Sequence, residues 1–119
     1  MKIKLFDSEL KIMELLWEEG DLTAKRIAEL TKTQIGWSKT TTYTVIKKCV
    51  EKGAIEKIEP GYKCHALITR KDEQLQETDV LIDKMYNGRA DQLVASLVDG
   101  QRLSREEIIQ LKKLIEQLE

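Results

Sequence analysis

Apolar side chains recur every three to four residues from Leu10 through Met13, Leu16 and Trp17, behind an Asp7 suited to an N-cap and ahead of Glu18-Glu19-Gly20, where the pattern stops. This spacing predicts a first helix. Asp21-Leu22 leaves room only for a short extended pairing, and Thr23 then suits the cap of a second helix that buries Ile27, Ala28 and Leu30. Thr31 to Trp37 reads as a turn. Ser38 caps a third helix, and Gly53 stands where a left-handed residue closes one. The period then shortens to two: Ile55, Lys57 and Glu59 lead to Pro60-Gly61, and Tyr62 through Leu67 return. Proline presets φ and glycine supplies a positive φ, so a β-hairpin with a type II turn is expected. Three helices followed by a hairpin predict a winged helix-turn-helix over residues 1–68, with the third helix as the recognition helix.

From Lys71 the pattern is helical again, and breaks at Asn87-Gly88 and Asp99-Gly100 predict three further helices over 69–119. Ser104 and Glu107 have the spacing of a capping box. Ile108, Leu111, Ile115 and Leu118 then recur in 3-4-3 steps, the spacing of a packing seam, and Leu75, Leu81, Ile82 and Met85 repeat the idea upstream. About fifty residues in three short helices cannot bury so much apolar surface alone. A second copy of the chain is the economical partner, and these eight residues form the expected dimer interface. The expected class is mainly α: a winged helix followed by a helical dimerisation region.

Composition refines this picture. The 119 residues are 41% hydrophobic and 34% charged, and no apolar run approaches bilayer length, so a soluble cytoplasmic protein without direct membrane binding is expected. Cys49 and Cys64 are too few for a disulfide framework and fit a reducing compartment. The net charge of −1 conceals a split. Between Lys32 and Lys63, seven lysines (32, 39, 47, 48, 52, 57, 63) stand against Glu51, Glu56 and Glu59, a net of +4; from Thr69 to Glu119, eight basic residues stand against eleven acids, a net of −3. Only the middle of the chain suits a phosphate-bearing partner.

At about 100° per residue, Thr42, Val45, Ile46 and Cys49 share one arc of the third helix, and Thr40, Tyr43, Thr44 and Lys47 lie opposite. The first arc is a core face. The second carries hydroxyls where an idle surface would carry better helix formers. Threonine hydroxyls can bond base edges or phosphates, and their methyls can meet thymine methyls. Lys47, Lys48, Lys57 and Lys63 cluster around this helix and the hairpin as candidate phosphate contacts. Two aromatic residues admit two readings each: Tyr43 faces the groove or packs on the turn, and Trp37 staples the turn or lies against the DNA backbone. Trp17 shares the stripe of Leu10 and Met13 and reads as core.

Cys64-His65 pairs two good ligands for zinc or copper, yet neighbours in a strand point to opposite faces and Cys49 lies on a core arc, so neither metal nor cofactor is expected. With one histidine, no glycine-rich phosphate loop and no Ser/His/Asp arrangement, catalysis is not expected either. Two alternatives to a DNA-binding repressor stay open: a winged-helix protein-interaction module, and a metal- or redox-responsive repressor using Cys64.

Taken together, Glu9 through Trp17, Trp37-Ser38, Thr41 with Thr44, Lys52-Gly53, Tyr62 through Leu67 and Leu103-Ser104 ahead of an acidic helix resemble the penicillinase-repressor (BlaI/MecI/CopY) family. The resemblance covers nearly the whole chain and is nearer the BlaI/MecI branch. It implies a dimeric winged-helix repressor of transcription that binds inverted repeats related to TACA/TGTA, linked to regulation of antibiotic resistance. By position, Thr40, Thr41, Tyr43 and Thr44 become groove-facing candidates, with Lys48 where the family usually has Arg and Cys49 where it commonly has Leu. The full candidate DNA-binding set is Ser38, Lys39, Thr40, Thr41, Tyr43, Thr44, Lys47, Lys48, Lys57, Gly61, Tyr62 and Lys63. The β-lactam-responsive branch further implies a membrane sensor-protease system and cleavage at a bond matching Ser96-Leu97, although the Asn-Phe pair of the family is missing there. The cysteine cluster of the copper-responsive branch has no counterpart in Leu114 to Glu119, so copper sensing by that route is not expected.

Overall fold

The computed structural model describes residues 3–118, in the order α1 (Asp7–Glu19), β1 (Leu22–Thr23), α2 (Ala24–Ile35), α3 (Lys39–Glu51), β2 (Ile55–Ile58), β3 (Lys63–Ala66), α4 (Arg70–Met85), α5 (Ala90–Asp99) and α6 (Arg105–Glu116). The class is the expected one: mainly helical, with a small antiparallel sheet. The chain divides into two compact units, 1–76 and 77–119, and the division falls within α4.

In the first unit the predicted stripes become the core. Ile12, Met13 and Leu16 of α1, Ala24 and Ile27 of α2, Val45, Ile46 and Cys49 of α3, and Ile55 and Cys64 of the sheet form one buried cluster. Trp17 packs at its edge and donates its indole N–H to the Ile68 carbonyl at 2.9 Å. The three strands lie in the order β1-β3-β2, all antiparallel, with Leu22 opposite Cys64 and Ile58 opposite Lys63. The short pairing expected at 21–22 is thus β1, added to the outer edge of the hairpin.

Three local expectations are corrected. Asp7 is not the cap of α1: Phe6 is, and the Glu9 carboxylate takes the Phe6 N–H at 2.7 Å, satisfying the helix start from inside. The turn proposed over 31–37 is mostly helix, because α2 continues to Ile35 and closes on a left-handed Gly36 at φ 72°. Thr31 is buried there, and the segment that continues the helix includes the good helix formers Lys32 and Gln34. The hairpin loop comprises four residues, Glu59 to Tyr62, with a cis Glu59-Pro60 bond. Gly61 has the expected positive φ of 92°, but Tyr62 is also left-handed at 52°, so the connection is more than a type II turn. Its left-handed backbone is held on both sides: the Tyr62 N–H donates to Glu59 Oε1 at 2.8 Å and its carbonyl accepts the Ala24 N–H at 2.9 Å.

In the second unit, α5 and α6 bury no residue within the chain. The predicted capping box of α6 is present: Ser104 Oγ accepts the Glu107 N–H at 3.1 Å, and Glu107 Oε1 accepts the Ser104 N–H at 2.8 Å. That bond holds the Glu107 carboxyl below its usual range.

Candidate nucleic-acid interface

The third helix has the two faces its sequence implies. Thr42, Val45, Ile46 and Cys49 are buried, while Thr40, Thr41, Thr44, Lys47 and Lys48 are exposed and Tyr43 is half-buried. Ser38 caps the helix, its Oγ accepting the Thr41 N–H at 3.1 Å and donating to Thr41 Oγ1 at 3.0 Å. Lys39, Thr40, Tyr43, Thr44 and Lys47 line a shallow open depression on the exposed side.

The hydroxyls on this face are not equally free. Thr44 donates its proton back to the Thr40 carbonyl at 2.9 Å, which leaves its oxygen as an acceptor and its methyl outward. Thr41 is engaged with the cap. Among the threonines of this run only Thr40 keeps a hydroxyl with no hydrogen bond to a described residue, so it is the least committed threonine on the face.

The wing and α3 are joined through aromatic rings. Tyr43 meets Tyr62 of the hairpin loop edge-on at 5.9 Å between centroids, with Lys39 over its ring at 5.6 Å, while its half-buried side chain also lines the open depression. Lys57 lies 4.1 Å from the Tyr62 centroid. Burial, with Cys64, Tyr43 and Glu59 nearby, holds the Tyr62 hydroxyl above its usual pKa. Trp37 packs against the core, with Lys11 at 6.0 Å from its ring.

The lysines fall into two groups. Lys47 and Lys48 make no ion pair among the described residues, whereas Lys57 lies 3.6 Å from Glu59 and Lys63 3.8 Å from Asp21. Asp21 also takes His65 Nδ1 at 2.8 Å. Lys52 is half-buried and committed inward: its ammonium meets the buried Glu9 carboxylate at 2.5 Å and the Lys4 carbonyl at 2.8 Å, over the Phe6 ring. Charge counting along the sequence could not separate Lys52 from Lys47, because its partner lies forty-three positions away. Asp21 was invisible for the same reason, since it touches Lys63 only once the sheet has formed, whereas Glu59 lies two positions from Lys57 and was counted against it.

Cys49 and Cys64 are both buried free thiols. Burial is the main cause that pushes Cys49 up to about 12, with Glu9 adding to it, and Cys64 up to about 11. At neutral pH both are protonated and poorly reactive. No group of three or more potential ligands that could hold a metal occurs among the described residues.

The expected interface residues of the second half stand largely open within one chain. Leu75, Leu81, Met85, Ile108, Ile115 and Leu118 are exposed, and Ile82 and Leu111 are half-buried. Val94, Leu97, Leu103, Ile109, Leu111 and Leu114 line an open groove of about 640 Å³ between α5 and α6. Of the 3-4-3 seam only Leu111 reaches that groove, so α6 carries apolar residues on more than one stripe. Ser96 and Leu97 lie inside α5, with Ser96 exposed and its carbonyl accepting the Gly100 N–H at 2.9 Å.

The penicillinase repressor family matches this chain over residues 5–117, which is nearly its whole length and spans both units. The chain belongs to the penicillinase repressor family. Its relatives within that family include the penicillinase repressor of Bacillus licheniformis, 27% identical over 117 residues, covering 96% of this chain and 91% of the relative. The methicillin resistance regulatory protein MecI of Staphylococcus aureus (strain N315) is 25% identical over 114 residues, covering 94% and 93%. An uncharacterised 16.5 kDa protein of Latilactobacillus sakei is 26% identical over 110 residues, covering 91% and 75%. Membership places a family of transcriptional repressors on a fold whose exposed helix face carries hydroxyls and lysines. No described helix of this family member is long and apolar enough to cross a membrane.

Proposed function

We propose that this chain is a homodimeric, sequence-specific DNA-binding repressor that blocks transcription by occupying an inverted-repeat operator. The observation that carries the reading is α3: one face wholly in the core, the other exposing Thr40, Thr44, Lys47 and Lys48 beside a lysine-bearing hairpin. Helix α3 reads bases in a major groove, with Thr40, Thr44 and Lys47 foremost, while Lys48, Lys57, Lys63 and the backbone amides of Ser38 and Gly61 anchor phosphates, the Tyr62 amide being held by Glu59. Lys39 and Tyr43 support that face through the wing. Its action in the cytoplasm follows from its target.

The exposed apolar faces of α4, α5 and α6 support pairing with a second copy, and a two-fold dimer presents two copies of α3 to half-sites one helical turn, or a multiple, apart. Kinship with penicillinase repressors supports a TACA/TGTA-like half-site. It also supports release by proteolysis at Ser96-Leu97 downstream of a membrane sensor-protease. Such a cut would separate α6, with Ile108, Leu111, Ile115 and Leu118, from the DNA-binding unit. The bond is helical, so cleavage requires local unwinding of α5.

The test is selection by the full chain from a pool of random duplexes, followed by titration of the recovered sequence against salt. A dyad-symmetric sequence whose affinity falls steeply with salt is expected. Recovery of no common sequence, with capture of a protein partner instead, would favour the interaction-module alternative. The redox alternative has less support, since both thiols are buried and held protonated.

A further inference from the structure

We propose that the buried hydroxyl pair Thr31–Thr42 is a positioning device that fixes the rotation of α3 about its own axis and thereby decides which side chains of α3 meet the bases. The inference rests on α3 being the base-reading helix. Thr31, in α2, is 1% exposed and Thr42, in α3, is 0% exposed; their Oγ1 atoms are 2.6 Å apart. The other buried residues of the two helices are Ala24, Ile27 and Ala28 of α2 and Val45, Ile46 and Cys49 of α3, so these two are the only hydroxyls among them.

Proton counting shows that the pair is complete without water. Two hydroxyl protons serve three short contacts: Thr31 to the Ala28 carbonyl at 3.2 Å, Thr42 to the Ser38 carbonyl at 3.1 Å, and the bond between the hydroxyls. Whichever threonine donates across the interface, the other donates to its own backbone, so neither hydroxyl proton is left unpaired. The carbonyls concerned also serve the helices; that of Ser38 accepts the Thr42 N–H at 3.0 Å. The pair therefore links α2 to the cap of α3, where Ser38 Oγ organises Thr41.

Directionality gives the pair its leverage. Val45, Ile46 and Cys49 complete the buried face of α3, and dispersion contacts of this kind tolerate small rotations. A hydrogen bond tolerates them less, because its strength falls steeply with misalignment. Thr40 and Thr44 each lie two positions from Thr42, roughly 160° around the helix, so the anchor is behind the reading face. A rotation of about 20° at a radius of about 5.5 Å displaces a side chain on that face by about 2 Å, enough to break a base contact.

The full-length protein is first used to select a duplex from a randomised dyad-symmetric pool. Affinity for that duplex is then compared with affinity for its symmetric single-position variants and for an unrelated duplex. In Thr31→Val/Thr42→Val, both partners are replaced by groups of similar shape, so the urea midpoint is expected to move little. The discrimination ratio is expected to fall about tenfold while affinity for the unrelated duplex is retained. Thr42→Ser, which keeps the hydroxyl, is expected to keep the ratio. Single Thr31→Val makes the same comparison should the double variant fold poorly, because Thr42 retains the Ser38 carbonyl. An unchanged ratio in the valine variants would overturn the positioning role, as would a loss matched by equal loss on the unrelated duplex. Absence of any discrimination in the unmodified protein would instead remove the base-reading role of α3 itself.

Discussion

The first unit buries Ile12, Met13, Ile27, Ile46 and Ile55 to 1% exposure or less, whereas from 77 to 118 no described residue is buried at all. The second unit leaves Val80, Leu81, Met85, Val94, Val98, Ile108, Ile109, Leu114, Ile115 and Leu118 exposed. Both stretches have clean helical periodicity, so periodicity does not explain the difference. What differs is the number of elements each stripe can meet. In the first unit, α1, α2, α3 and the sheet enclose one centre from several sides. Three short helices cannot enclose their own stripes and leave them for another surface. The first unit thus closes its own core, and the second keeps its apolar stripes exposed within one chain.

The largest test of this contrast is Ile115→Asp. Because Ile115 is 52% exposed in one chain, the substitution is expected to spare the winged helix and act on pairing. The sedimenting mass should halve and affinity for the selected duplex should fall about a hundredfold, the loss expected when two linked contacts become one. A dimer of undiminished affinity would place the interface elsewhere.

Next in size is Lys52→Met. It leaves the buried Glu9 carboxylate without its cation, and Glu9 Oε2 already lacks a partner. Urea denaturation should show a loss of about 3 kcal/mol. Lys47→Ala should stay within about 0.5 kcal/mol of the parent and weaken duplex binding instead. Reversal of these two results would mean that the inward-committed and reading lysines have been confused.

Within the reading face, Thr44→Ala is expected to relax discrimination at one symmetric pair of operator positions by about tenfold, measured over a panel of duplex variants. Lys63→Ala should weaken all duplexes alike and reduce the salt slope, and Asp21→Asn should strengthen them by less than about threefold, consistent with the worth of an exposed ion pair.

The smallest expected effect is acid sensitivity in the second unit. Glu107 has a carboxyl held below its usual 4.5 chiefly by the Ser104 N–H. Its contribution is fully present above that ordinary value and is lost as pH falls through the lowered one. Helicity followed by circular dichroism should show this acid step in the parent, and Glu107→Gln should remove it.

The faces of α3, the capping box of α6 and the breaks at Asn87-Gly88 and Asp99-Gly100 were legible because each follows from local spacing or a single cap. Thr31 reads as a turn residue from its propensity, whereas its hydroxyl is paired with Thr42, eleven residues away, a partnership no local window contains. The left-handed Tyr62 was hidden for a similar reason, since contacts from Glu59 and Ala24 hold it. The candidate site was legible as a set of residue types but not as a set of free groups. Which lysines are already engaged depends largely on Asp21 and Glu9, whose partners Lys63 and Lys52 lie more than forty positions away.

Residues 3–6 precede every helix, yet they tie together elements distant in sequence. The Ile3 carbonyl accepts Gln76 Nε2 at 2.5 Å, the Lys4 carbonyl receives the Lys52 ammonium, and Leu5 is buried in the core. Loss of residues 3–6 would therefore act on the exit of α3 and the opening turns of α4, although both lie more than forty residues downstream. Damage there would read as a defect of α3 although no residue of α3 had changed.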